Sequence, residues 1–255
     1  MNKQINKFNN FKNKKELQKT PNMSKLLVCG KNSVLDAITN NWPIKKVWLQ
    51  NNKNEELLIE KGIKYQIVDK QTLDLLTCEN HQGFIAELSE FNYSNYDELI
   101  NDKPNLILIL DHIQDPHNFG AIIRTANAAG VKHVIIPKDR SVEVNSTALK
   151  TSSGGFINMK IFRVNSIQST IEKLKKDGFW IYVSALEQNS ISYSEIQYNT
   201  PTALVVGNEG SGSSKTTLKQ ADQLVHINQF GTVQSLNVSV ATGILLFEII
   251  KKQNE

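Results

Sequence analysis

From Lys25 onward, short apolar runs alternate with segments in which apolar residues recur every three or four positions, the pattern of strands alternating with helices. LLVCG reads as a strand, SVLDAITN as a helix with Ser33 as its N-cap, and KKVWLQ as a second strand. A helix in EELLIEKG, a strand in KYQIV, a short helix in KQTLDLLT and a strand in GFIAEL complete a small α/β domain over residues 25–90. The polar stretch 91–104 reads as a linker. A second domain, 105–255, opens on LILIL, a continuous apolar run that predicts a strand buried on both faces. Further strands are predicted at HVIIP, MKIFRV, FWIYVSAL, ALVVG and QLVHI. Helices are predicted through AIIRTANAA, stopped by Gly130, through SIQSTIEKLKKDG, and through SLNVSVATGILLFEIIKK. The alternation predicts a parallel sheet, in which ligands gather at the carboxyl ends of strands.

Composition refines this picture at a few points. A chain of 255 residues with 40% apolar residues can bury a real core. No apolar run reaches the roughly 18–20 residues that span a bilayer, and the polar start lacks a signal-peptide core, so no membrane partner and a cytoplasmic location are expected. The net charge of +4 is uneven: residues 1–25 hold seven Lys and one Glu, leaving 22 basic and 24 acidic residues in the rest. Residues 1–24 are expected to be a disordered basic tail, able to add salt-sensitive affinity for RNA or simply solubility. Arginine is scarce, with Arg124, Arg140 and Arg163 against 26 lysines, which makes Arg124 the more informative. Cys29 and Cys78 form no CxxC pair or Cys/His cluster, so buried free thiols and no metal are expected.

Three loops that follow predicted strands carry the candidate chemistry. In DHIQDPHNFGAIIRTANAAG, Asp115-Pro116 makes a turn, Asn118 stands where an N-cap would, and Arg124 lies on the helix. In VVGNEGSGSS, Gly207, Asn208, Glu209 and Gly210 form a Gly-rich turn whose backbone NH groups could cradle a cofactor. It fits neither GxxxxGK[ST] nor GxGxxG, which disfavours nucleoside triphosphates and NAD. In HINQFGTVQSLNVSVATG, Ile227 ends a strand, Ser235 can cap the last helix, and Leu236, Val238, Val240, Ile244 and Leu245 would face a core. Asn237, a polar residue between Leu236 and Val238, is left without a role in that plain reading.

Taken in order, DPHNFGAIIRTANAAG, VVGNEGSGSS and INQFGTVQSLNVSVATG resemble the three motifs of the SpoU-type, TrmH-like RNA methyltransferases, over about 150 residues from Leu106 to the end. The first half, through LLVCGKNSVLDAI and HQGFIAEL, resembles the ribosomal-protein-like substrate-binding domain of the RlmB branch, which modifies a guanosine of 23S rRNA in the peptidyl-transferase region. The resemblance implies a SPOUT domain with a deep trefoil knot, pairing of two catalytic domains as a homodimer, and S-adenosylmethionine as cofactor. It places Gly207, Asn208, Glu209, Gly210, Ile227, Ser235, Leu236 and Asn237 at the cofactor, and Asn118, Arg124, Glu209 and Asn237 at the catalytic centre. Asn228 stands where members of the family often carry proline. Methylation of a tRNA ribose, rRNA methylation at another site, and a non-catalytic RNA-binding protein of the same fold are the alternatives.

Overall fold

The computed structural model describes residues 25–78, 80–210 and 212–255; the expected basic tail, 1–24, lies outside them. The chain divides into two compact units, the first including the chain up to Val34 and Ile44–Ser89, the second Leu35–Pro43 and Glu90–Glu255.

The first sheet contains β1 (Leu26–Cys29), β2 (Ile44–Leu49), β3 (Tyr65–Ile67) and β4 (Phe84–Leu88) in the order β1-β4-β2-β3. Strand β4 runs antiparallel to both its neighbours, whereas β2 and β3 are parallel. Helices α1 (Lys31–Thr39), α2 (Glu55–Glu60) and α3 (Lys70–Leu76) connect them. Trp48, Leu73 and Ile85 form a small core under α3, whose first turn is closed by Asp69 accepting from the Thr72 NH at 2.8 Å. Two expectations are corrected. Ser33 lies inside α1, which starts at Lys31 directly after Gly30, whose φ of +99° turns the chain. The cysteines form no disulfide with each other, yet Cys29 on the edge strand is only half-buried and Cys78 is exposed in the loop after α3.

The second unit holds α4 (Tyr96–Asp102), β5 (Leu106–Asp111), α5 (Pro116–Ala128), β6 (His133–Pro137), α6 (Ser146–Thr151), β7 (Lys160–Val164), α7 (Ile167–Lys176), β8 (Trp180–Ser184), β9 (Ile191–Ser192), β10 (Thr202–Gly207), α8 (Lys215–Lys219), β11 (Gln223–His226) and α9 (Val238–Asn254). Its sheet has the order β7-β6-β5-β10-β8-β11-β9, and every neighbouring pair is parallel. Every residue of β5 and β10 is buried, as their continuous apolar runs require. Ile107, Ile109, Ala203 and Val205 share one core with Ile171 and Leu174 of α7 and with Ile181 and Val183 of β8, each Val, Leu or Ile side chain contributing about 1.5–3 kcal/mol on burial. From β5 the chain runs outward to β7, then returns to build the other half of the sheet, so β5 and β10 flank the reversal of strand order where ligands bind in open α/β sheets.

The stretch expected as a linker contains α4. Its start is a capping box between Asn95 and Glu98, and its Leu99 is wholly buried in the core beside Ile107 and Phe179. Helix α5 is capped by Asp115, which accepts from the NH groups of His117 and Asn118; Asn118 is therefore not the cap. Pro116 explains the shift, since proline suits the first helical position and leaves the cap to its predecessor. Gly130 ends the helix as expected, with φ +78°. Gly120 is dictated by packing: a Cβ there would lie 2.6 Å from the Ala148 carbonyl oxygen and 2.7 Å from the Thr151 Cβ. Helix α9 is capped by Asn237, whose side chain accepts from the Ser239 NH, and not by Ser235, which is exposed ahead of it. Val238 and Leu245 are buried in line with expectation, whereas Val240 is 51% exposed. No helix among the described residues is long and apolar enough to cross a membrane.

Candidate active site

A cavity of about 400 Å³ opens at the carboxyl ends of β8, β10 and β11. Seven of the residues expected at a cofactor line it: Gly207, Asn208, Glu209, Gly210, Ile227, Ser235 and Leu236. Asn237 stands next to this wall as the cap of α9, between the lining residues Leu236 and Val238. The sequence pattern gave no sign of the wall formed by Ser184 at the end of β8 and by Ala185, Leu186 and Glu187 after it. Its only signal was position, since every strand of a parallel sheet ends on the same edge.

The Gly-rich loop is held closed by its own backbone and by Asn208. The Asn208 carbonyl accepts from the Gly212 NH at 2.8 Å, its Oδ1 accepts from the Gly210 NH at 2.9 Å, and its Nδ2 donates to the His112 carbonyl at 3.0 Å. Gly207 has no room for a side chain, because an added Cβ would come within 2.2 Å of the Ser213 nitrogen. Asp111, unremarked in the sequence reading, fastens the neighbouring loop. Its carboxylate is 1% exposed and accepts from the Ser214 NH at 3.1 Å, the Thr217 hydroxyl at 3.0 Å and His112 Nδ1 at 2.5 Å. The signal was an acid closing the apolar run LILILD, which a buried strand tolerates only when the carboxylate is fully hydrogen-bonded.

The three loops meet at one amide. Asn237 Nδ2 donates to Glu209 Oε1 at 2.6 Å and to Asn118 Oδ1 at 2.9 Å, and Glu209 Oε1 also accepts from the Val238 NH at 3.3 Å. Asn118 and Asn237 are 119 residues apart in sequence. The polar residue that an amphipathic helix could not explain is thus both the helix cap and the joint between the loops. Arg124 is exposed on α5 and makes no hydrogen bond to these three among the described residues. Its backbone is closely supported: a Cβ on Gly155 would lie 2.8 Å from the Arg124 Cα, and Asn127 Nδ2 donates to the Gly155 and Ile157 carbonyls at 3.0 and 2.9 Å. The turn after α6 therefore holds this part of α5, a support the sequence reading did not identify. Among the described residues, no cluster of His, Cys, Asp and Glu could hold a metal ion.

Fold and site together define an α/β methyltransferase of the SPOUT class. An AdoMet-bound rRNA methyltransferase from Sinorhizobium meliloti is similar at a TM-score of 0.78 and 27% identity, covering 89% of this chain and 87% of that one. The chain belongs to the SpoU rRNA methylase family, whose family model matches residues 105–247. Residues 27–94 match the model for RNA 2′-O ribose methyltransferase substrate binding. A relative from Staphylococcus saprophyticus, assigned to the TrmH family of tRNA/rRNA methyltransferases, is 36% identical over 244 residues, covering 91% of this chain and 98% of its own length. The A. aeolicus TrmH/SpoU tRNA modifying enzyme is 32% identical with a TM-score of 0.55, covering 62% of this chain and 84% of that one.

Because one amide donates to two loops, Asn237→Asp is expected to lower the rate of methyl transfer by about 10- to 100-fold. The substituted carboxylate would face Glu209 and Asn118 Oδ1 with no proton to give, a loss on the order of 1–3 kcal/mol. Single-turnover transfer rates of the variant and the parent check this. An unchanged rate would mean that the joint is not needed for chemistry.

Proposed function

We propose that this chain transfers the methyl group of S-adenosylmethionine to a ribose 2′-hydroxyl of RNA, with a guanosine of 23S rRNA in the peptidyl-transferase region as its target. The observation that carries the reading is the meeting of Asn118, Glu209 and Asn237 at the wall of the 400 Å³ cavity. That volume lies in the range of about 300–1,000 Å³ usual for small-molecule sites. The buried Ser213 hydroxyl in its wall has no partner among the described residues, which suits a site completed by a ligand. Gly207, Asn208, Glu209 and Gly210 on one side, and Ile227, Ser235 and Leu236 on the other, would hold the cofactor, with Asn237 fixing the start of α9 between them. The bound cofactor supplies an activated methyl group on a sulfonium, a good leaving group. The protein's contribution is then to position the hydroxyl and manage its proton, and positioning alone can supply about 7–11 kcal/mol in the best cases.

Glu209, Asn118 and Asn237 form the polar rim that would orient the ribose. Arg124 would anchor a phosphate or the developing oxyanion, because a guanidinium carries its positive charge near neutral pH and offers a planar fork of donors. The unit that matches the substrate-binding model would read the RNA through shape, phosphate and 2′-hydroxyl contacts. That unit, with its likeness to the branch that acts on 23S rRNA, favours rRNA. A tRNA ribose is the second reading, favoured by the 32% identity to the A. aeolicus tRNA modifying enzyme. The proposal includes the knotted threading of the last segment, action in the cytoplasm, and a homodimer formed by the catalytic domains. Val240 and Phe247, two turns apart on α9 and 51% and 53% exposed, offer an apolar face for such pairing.

Mapping ribose methylation in cells with and without the protein tests the target. The expected result is loss of one 2′-O-methylguanosine from 23S rRNA. Loss from a tRNA instead would establish the second reading, and no loss from either RNA would overturn both.

A further inference from the structure

A second cavity, about 580 Å³, adjoins the first at the Gly-rich loop and shares Asn208, Gly210, Gly212 and Ser213 with it. Its remaining walls are the loop after β5, with His112 and Gln114, the loop after β6, with Arg140, and Lys215 after β10. No carboxylate is among its described lining residues, and three of them are basic side chains. Arginine usage sharpens the observation. Of the three arginines in the chain, Arg163 is committed to structure, pairing with Glu143 at 2.7 Å and lying 5.0 Å from the Tyr93 ring centre. Arg124 and Arg140 are exposed and enter none of the ion pairs among the described residues, and Lys215 is likewise exposed and unpaired there.

The cavity is built, not an accident of loose loops. His112 and Arg140 both take left-handed backbone conformations, φ +63° and +51°, which non-glycine side chains rarely adopt and which concentrate at functional sites. Each is held in place. The His112 carbonyl accepts from Asn208 Nδ2, and its ring Nδ1 is taken by the buried Asp111, leaving Nε2 as the ring's open polar atom. The Arg140 carbonyl accepts from Gln114 Nε2 at 3.4 Å, while the Val142 NH and the Ser141 hydroxyl donate to the Ile113 carbonyl at 2.8 and 3.3 Å. The loops after β5 and β6 are thereby stitched together with Arg140 at the seam.

We propose that this cavity is a phosphate-binding subsite for the substrate RNA, in which Arg140 and Lys215 neutralise a backbone phosphate of the strand beside the target nucleotide and His112 contacts its ribose. The inference rests on the proposed RNA methylation. It explains how an RNA strand could be held in register with the cofactor cavity across one shared loop, since phosphate contacts fix position without reading sequence.

The test compares the full chain with the double variant Arg140→Ala/Lys215→Ala and with a charge-matched control, Lys103→Ala/Lys132→Ala. The control residues are exposed and precede β5 and β6, at the opposite edge of the sheet. Binding of unmodified transcripts of large-subunit rRNA and of tRNA is measured by filter binding across a salt series, beside calorimetry with S-adenosylmethionine. For the transcript that the parent methylates, the double variant is expected to bind about ten-fold more weakly, with the slope of log affinity against log salt reduced by about 0.7–0.9 per lost contact. Its cofactor affinity should match the parent, its KM for RNA should rise with kcat little changed, and the control should behave as the parent does. Unchanged RNA affinity and slope in the double variant, or an equal loss in the control, would overturn the subsite while leaving the methyltransferase reading standing. A parent chain that methylates neither transcript would overturn that reading and the subsite with it.

Discussion

Arg124→Ala is expected to cut methyl transfer by about 10²- to 10³-fold while leaving S-adenosylmethionine affinity within a factor of two or so of the parent. The magnitude is that of losing one group aimed at charge that develops in a transition state. The selectivity follows from position: Arg124 is on α5, it does not line the 400 Å³ cavity proposed for the cofactor, and its side chain is exposed, so its removal should change stability by no more than about 0.5 kcal/mol. Arg124→Lys should fail nearly as badly, because a point ammonium does not reproduce a planar fork of donors. Single-turnover rates set beside calorimetric cofactor binding separate the two properties. Full activity in the lysine variant would remove the anchoring role, and a parallel loss of cofactor affinity would place Arg124 in the wrong half of the site.

Gly207→Ala should have the opposite profile, abolishing cofactor binding first. The added methyl would lie 2.2 Å from the Ser213 nitrogen and 2.3 Å from the Gly212 carbonyl carbon, both backbone atoms that cannot swing aside. The loop must shift, at a cost on the order of 1–3 kcal/mol of stability, and a displacement of about 1 Å at such a wall can remove 10²-fold of function. Gly210→Ala provides the contrast, since among the described residues its added Cβ would meet Asn208 Oδ1 alone, at an ordinary contact distance of 3.6 Å. Calorimetry with S-adenosylmethionine and thermal unfolding of both variants check the pair. The expected outcome is loss of binding in the first and near-normal binding in the second; equal behaviour would mean that the tight backbone crossing does not shape the cavity.

Much of the sheet was legible because burial on both faces writes itself into the sequence as unbroken apolar runs. LILIL and ALVVG gave β5 and β10, and the loops after them could be placed at the functional edge by the general rule for parallel sheets. Local signals were less reliable where two residues competed for one task. Asn118 and Asp115 both suit a helix cap, and the proline at the first helical position decides for Asp115, freeing Asn118 to meet Asn237. At α9 the expected cap was Ser235, yet Asn237 takes that place through its Oδ1 while its Nδ2 reaches Asn118 and Glu209. Helix α4 looks like a linker in sequence because its seven residues are mostly polar, although Tyr96, Leu99 and Ile100 carry the helical spacing that packs it on the core. The two-residue β9 is too short to leave a period of its own, and the Asn118–Asn237–Glu209 joint is a product of topology that no local pattern encodes.

The most direct test of the account is the identity of the product. The purified chain is incubated with methyl-labelled S-adenosylmethionine and an unmodified transcript of large-subunit rRNA, and the RNA is then digested to nucleosides. Label recovered as 2′-O-methylguanosine is the predicted result. Label on a base, or none transferred to rRNA or tRNA by a chain that binds the cofactor, would contradict it.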